Sequence, residues 1–230
     1  MSTNRYRTQF PQKHTVLPVV HVTSLEQALR NVGIAQQAGA DGVFLIGHDL
    51  WWTALSAIHV EVKEAFPDFW VGVNFLDLTP EQALRVGSGR KLHSDELRIP
   101  TQGIWTDNYS HAPRPDNFNG LSFGGVAFKY QIQPTNLVLN SQDAKQYMDV
   151  VVTSGTGTGK APNVEKIKTM KEAIGDFPLA IASGITTKNV VDFLPYADCF
   201  MVATGISSSD DELDPGLTDL LVRMVRAYQP

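Results

Sequence analysis

Apolar positions along the chain fall into short, nearly continuous runs, many of them β-branched, each followed by a turn and usually by a segment of helical spacing. Eight such runs stand out: Val16–Val22, Gly42–Ile46, Trp70–Phe75, Gly103–Thr106, Gly124–Phe128, Val150–Thr153, Leu179–Ala182 and Cys199–Ala203. A run apolar at almost every position predicts a strand covered on both faces, as in a parallel sheet, and regular alternation with helices is the βα pattern. Several helices announce their starts. Ser24 with Gln27 reads as a capping box ahead of Leu25, Ala28, Leu29, Val32 and Ala35, while Thr79-Pro80 and Asp214-Pro215 place a capping side chain before a proline at the first helical position. Eight units of about 29 residues predict an α/β protein of the (β/α)8 TIM-barrel class rather than a doubly wound sheet, which has fewer parallel strands.

The fourth unit breaks the rhythm. After Thr106 the stretch "DNYSHAPRPDNFNGLSFGG" has no helical period, so a long loop or a degenerate helix is expected there, and residues 108–122 read as a lid over the barrel mouth. The remaining composition narrows the function classes. The chain has 230 residues, 43% of them hydrophobic and 19% charged, enough to bury a sizeable core in one barrel domain over residues 1–230. Residues 1–13 are polar, lack an apolar signal core, and are expected to form a flexible N-terminal extension. With 19 basic and 24 acidic residues the net charge is −5 and no basic run appears, which disfavours nucleic acid as a partner. No apolar stretch approaches a membrane span, and the lone Cys199 lies in an apolar run as a buried thiol. A soluble, cytoplasmic protein is expected, with homo-oligomer formation left open.

In a barrel of this kind, reactive groups come from the carboxyl ends of the strands and the loops that follow them. Those ends carry His21, His48 with Asp49, Asn74 with Asp77, Asp107 with Asn108, Lys129, Thr153 with Ser154, Ser183 and Thr204, whereas Asp41 and Asp198 precede strands and belong to the opposite, structural face. Lys129 and Asp107 are taken as the central reactive pair, with Asn74 and His21 orienting the substrate. A partly desolvated lysine can donate a proton, stabilise negative charge or form a Schiff base, and the competing assignment is a structural Lys129–Asp107 ion pair across the mouth. Small residues after the seventh and eighth strands, Ser183-Gly184 and Thr204-Gly205, would let backbone N–H groups approach a phosphate, helped by a short helix after the second turn. Asp49, Thr153, Ser154 and Gly155 are assigned to the substrate-facing wall. The segment "TSGTGTGK", Thr153–Lys160, is not a triphosphate loop. The position four residues before Gly159-Lys160 is Ser154 rather than glycine, and Ala161 replaces the metal-binding hydroxyl.

The run "DVVVTSGTGTGKAPNVEKIKTMKE" followed by "PLAIASGITTKNVVDFLPYADCFMVATGIS" resembles the BtpA family of phosphate-binding-type barrels, most strongly over residues 149–206, with "AGADGVFLIG", "VGVNFLD" and "GVAFKYQ" at the places of that family's second, third and fifth strands. The resemblance implies a ribulose-phosphate-binding-barrel-like fold and makes the glycine-rich segment the substrate-facing loop after the sixth strand. It also implies two function classes. One is an enzyme of a small phosphorylated metabolite, a sugar phosphate or ribonucleotide-like compound, working as a lyase, isomerase or phosphoribosyl-type transferase. The other is a non-enzymatic biogenesis or stability factor for a membrane complex such as photosystem I, for which Trp51-Trp52 and residues 109–123 are the candidate contact surfaces. Two departures are visible: "HVTSLEQ" replaces the family's Pro-Leu-Pro-Gly-type first loop, and Ser207-Ser208 stand where a basic residue would neutralise phosphate. No cofactor is obligatory in this reading. Magnesium on His48-Asp49 with Asp77 or Asp107 is a secondary option, without a spaced ligand motif.

Overall fold

Eight strands form, seven of them at the apolar runs and the fifth beginning three residues ahead of its run. In a computed structural model, which describes residues 4–89 and 100–229, they are β1 (Thr15–His21), β2 (Val43–Ile46), β3 (Val71–Asn74), β4 (Gly103–Thr106), β5 (Leu121–Gly125), β6 (Val150–Thr153), β7 (Leu179–Ile181) and β8 (Cys199–Val202). Each strand pairs in parallel with the next, and β8 returns to β1 with Cys199 opposite Thr15, so the barrel closes and leaves no sheet edge. The helices are α1 (Arg5–Gln9), α2 (Leu25–Gln37), α3 (Trp52–Ala65), α4 (Pro80–Gly87), α5 (Leu137–Ala144), α6 (Val164–Ile174), α7 (Val190–Phe193) and α8 (Pro215–Ala227). The predicted caps are in place. Ser24 Oγ accepts the Gln27 N–H at 3.2 Å, Thr79 and Gln82 form a full capping box, and Asp214 accepts from Leu217 N–H.

Side-chain alternation separates two cores. Leu17, Val19, Phe44, Phe123, Val150 and Val152 belong to the cluster that fills the barrel, while Val16, Val20, Val43, Leu45, Val71 and Val151 pack with the helices outside it. That parity decides which residue at each strand end faces the mouth. It puts His21, two beyond Val19, on the inside, and Thr153, one beyond Val152, on the outside.

Three expectations are corrected. Residues 5–9 are not part of a flexible extension: they form α1, whose Tyr6 is fully buried and whose Phe10 packs edge-on against Trp70, closing the amino-terminal end of the barrel. Tyr6 Oη hydrogen-bonds Thr15 Oγ1 at 2.8 Å, which satisfies its buried hydroxyl. The fifth strand lies at Leu121–Gly125, not at residues 124–128, because Leu121 and Phe123 fill the barrel and Gly124 is already opposite Thr106. Past Gly125 the chain leaves the sheet, with Ala127 at φ +49° and Tyr130 at φ +64°. Residues 108–122, finally, do not cover the mouth. Residues 108–120 descend the outside of the barrel where a crossover helix would stand: Tyr109 Oη donates to Asp143 at 2.9 Å, Phe118 is buried, and Arg114 bonds Gly120 O at 2.7 Å and pairs with Asp149 just before β6. Proline and asparagine disfavour a helix in this stretch, and its aromatic and charged side chains attach it instead.

Candidate functional site

The carboxyl ends of the strands surround a cavity of about 300 Å³, walled by His21 and His48 after β1 and β2, Trp105 and Asp107 at β4, Lys129 and Tyr130 after β5, Thr158 and Gly159 after β6, Ser183 and Gly184 after β7, and Thr204 after β8. The floor is apolar, with Val19, Ile46 and Met201 among its residues. A cavity of this size with an apolar base and a few convergent polar groups has the general form of a small-molecule site.

Asp107 is its most perturbed acid. The side chain extends inward from β4 on the parity of Trp105, and burial raises its carboxyl pKa; the Asn74 amide, donating to Oδ1 at 3.3 Å from β3, opposes that rise, as do Lys129 and His48. His21 is held below the usual imidazole range, first by burial and then by His48 and Lys129, and its ring meets that of His48 edge-to-face at 5.1 Å. Lys129 reaches the cavity from the loop after β5. Its N–H donates to Ser154 Oγ at 2.7 Å and its Nζ to Thr158 Oγ1 at 3.3 Å; no ion pair joins it to Asp107 among the described residues. Tyr130 Oη accepts the Thr158 N–H at 3.2 Å, so the loops after β5 and β6 are linked at the rim.

On the far side, three loops stack backbone against backbone. Gly184 turns with φ +67°, and a Cβ there would lie 2.0 Å from Ala161 N in the loop after β6; one on Gly205 would lie 1.9 Å from Ile185 O in the loop after β7. Ser183 Oγ donates to Gly157 O at 2.9 Å. The segment after β8 is a single 3-10 turn, Thr204–Ile206, in place of the expected short helix.

Of the residues expected at the site, His21, Asp107, Lys129, Ser183, Gly184 and Thr204 wall one cavity. Asn74 is buried and reaches it through Asp107. Gly205 is spent on contact with Ile185. Thr153 points to the helices, Ser154 holds Lys129 from behind, Gly155 packs on Lys160 O, and Asp49 lies in a separate cleft with Trp51 and Asp77. Among the described residues no group of three or more His, Cys, Asp or Glu side chains is placed to hold a metal ion. Tyr130, Thr158, Gly159 and Trp105 were absent from the expected set. Alternation signals Trp105, and also His48, through Phe44 and Ile46; no local pattern signals Tyr130.

Residues 126–224 match the BtpA family. The match covers β6, β7, β8 and the loops that carry Lys129, Ser183 and Thr204, which bears out the resemblance read from "DVVVTSGTGTGK" onward. Over 69 residues the chain is 36% identical to an uncharacterized protein of Methanocaldococcus jannaschii, covering 29% of this chain and 26% of that relative, so it spans about a quarter of the relative's length. Three solved structures share the fold. A native KDPGal structure superposes with a TM-score of 0.69 at 16% identity, over 94% of this chain and 96% of that one. Phosphoribosyl anthranilate isomerase from Thermus thermophilus gives 0.64 at 16% identity, over 93% and 100%. Wild-type GGGPS from Thermoplasma volcanium gives 0.63 at 13% identity, over 100% of both chains. At such identities the likeness is one of fold. No helix of the described residues is long and apolar enough to cross a membrane.

Proposed function

We propose that this chain is an enzyme acting on a small phosphorylated metabolite, a sugar phosphate or ribonucleotide-like compound, at the carboxyl-terminal mouth of the barrel. The observation that carries the reading is Asp107: a partly buried carboxyl with a raised pKa, held by Asn74, in the same cavity as Lys129, His21 and His48. Two of these groups, Asp107 and His21, are shifted from their ordinary values, and shifted groups within a cleft mark a candidate acid–base site. In this reading Asp107 exchanges a proton with the substrate carbon or hydroxyl, and Lys129 stabilises the developing oxyanion or, as the free amine, condenses with a substrate carbonyl to a Schiff base, the carbonyl oxygen leaving as water. The phosphate, in this reading, lies opposite, against Ser183-Gly184 and Thr204, which wall the same cavity with short side chains. Support comes also from phosphoribosyl anthranilate isomerase, whose name specifies a phosphoribosyl compound and whose barrel is alike. Lyase, isomerase and phosphoribosyl-type transferase chemistry all fit such a pair.

The test has two stages. A thermal-shift screen with phosphorylated sugars and nucleotides should find ligands that stabilise the protein, and the unphosphorylated compounds should not. Turnover of the best ligand should then fall by roughly 10²-fold or more in Lys129→Met and Asp107→Asn, the usual scale for a lost acid–base group. Borohydride trapping with a carbonyl ligand distinguishes a Schiff base from proton transfer. No response to any phosphorylated compound would sink the enzymatic reading in favour of a non-enzymatic biogenesis role.

A further inference from the structure

One charged side chain close to the site takes no part in the chemistry above. Lys166 sits in the first turn of α6, and its Nζ turns inward to donate to two backbone carbonyls, Ala127 O at 2.6 Å and Ser154 O at 2.8 Å. These belong to the loops after β5 and β6. Burial alone pulls its pKa down to about 8, so the fold keeps an ammonium where desolvation opposes it.

What the two bonds hold is specific. Ala127 has φ +49° and Tyr130 φ +64°, conformations that non-glycine residues adopt only when their surroundings impose them. Lys129 lies between them. Its N–H is fixed to Ser154 Oγ at 2.7 Å, and the same Ser154 gives its carbonyl to Lys166. A single ammonium therefore clamps both the strained segment that carries Lys129 and the serine on which Lys129 hangs. A neutral side chain of similar length would leave two inward-facing carbonyls without a donor.

We infer that Lys166 is a positioning residue, which sets the direction of the Lys129 side chain into the cavity by tying the loop after β5 to the loop after β6. The inference rests on the proposed role of Lys129 for its significance, but not for its test. Amine-selective labelling of the intact, folded chain, read peptide by peptide in a mass spectrometer, reports Lys129 directly and needs no substrate. In Lys166→Met the labelling rate of Lys129, relative to the exposed Lys188, should rise by roughly threefold or more, the low end of coupling within one hydrogen-bond network. Lys166→Arg, which keeps charge and donors, should return it toward the parent value. A role confined to holding the barrel together would lower the melting temperature without changing this ratio in the folded protein. Ser154→Ala removes the hydroxyl that holds the Lys129 N–H while leaving the carbonyl on Lys166, and it should raise the ratio as well; Lys166→Gln, neutral and too short for both carbonyls, decides the question if Lys166→Met does not fold. An unchanged Lys129 ratio in a folded Lys166→Met, or failing that in Lys166→Gln, overturns the inference. Full turnover in Lys129→Met would refute the catalytic reading and leave this one standing.

Discussion

Asn74 and Asp107 project inward from neighbouring strands, and the amide of the first donates to the carboxylate of the second at 3.3 Å. The bond favours the ionised form in a place where burial favours the neutral one. Replacing Asn74 with leucine removes the largest of the influences that oppose burial, so the Asp107 pKa should rise further. The acidic limb of the pH profile for turnover or ligand binding should move toward alkaline pH. An unmoved limb would mean that Asp107 is not the group being titrated.

His59 offers a test of stability against pH. On the buried face of α3 its Nε2 has no hydrogen-bond partner among the described residues, and burial, with a smaller contribution from Lys63, lowers its pKa from 6.5 to about 4. Between those values the unfolded chain binds the proton and the folded chain does not, so this contribution is complete above pH 6.5 and is lost as pH falls toward 4. The loss amounts to roughly 3 kcal/mol. Urea titrations of the parent and of His59→Leu should diverge across this window, with the variant showing the shallower pH dependence. Parallel curves would contradict the assignment.

Gly184 and Gly39 make a matched pair. Both have positive φ, +67° and +74°, but a Cβ on Gly184 would strike Ala161 N at 2.0 Å, while one on Gly39 would meet nothing within 4 Å. Gly39→Ala should cost about 1 kcal/mol from backbone conformation alone. Gly184→Ala should cost about 3 kcal/mol, since overpacking adds to the strain. Equal denaturation midpoints for the two variants would show that the loops after β6 and β7 can part without penalty.

Tyr6 anchors the amino-terminal closure of the barrel. Truncation to alanine empties a fully buried aromatic site and removes the Thr15 partner, so unfolding free energy should drop by about 3–5 kcal/mol. A drop below about 1 kcal/mol would place α1 outside the cooperative unit.

The strand count and helix caps were legible because both are local signals: continuous apolar runs, and Ser, Thr or Asp at a fixed offset from Gln or Pro. Asp107 and His21 followed from being at strand ends. The misplacements have equally physical causes. Thr153 sits at a strand end but on the wrong parity, as Val150 and Val152 inside the barrel require. The fifth strand was displaced because Val126–Phe128 is apolar and buried without being in the sheet; Phe128 packs on Trp105 instead. α1 was invisible because two large apolar side chains, Tyr6 and Phe10, four residues apart in a polar segment do not make a period. Lys166 looked like any lysine of a solvated helix face, since its partners are backbone carbonyls that come near only in the closed barrel.

The loops after β6, β7 and β8 touch through main-chain atoms, at Gly184 against Ala161 and at Gly205 against Ile185. Main chain cannot be exchanged by substitution, so this half of the rim has little room to diversify. A lineage that took up a new substrate would have to do so on the opposite half, where Leu76, Tyr130 and the connections after β2 and β3 present replaceable side chains to solvent. The same holds at the bench: libraries aimed at altered selectivity should be built there, with the glycine-packed half left untouched.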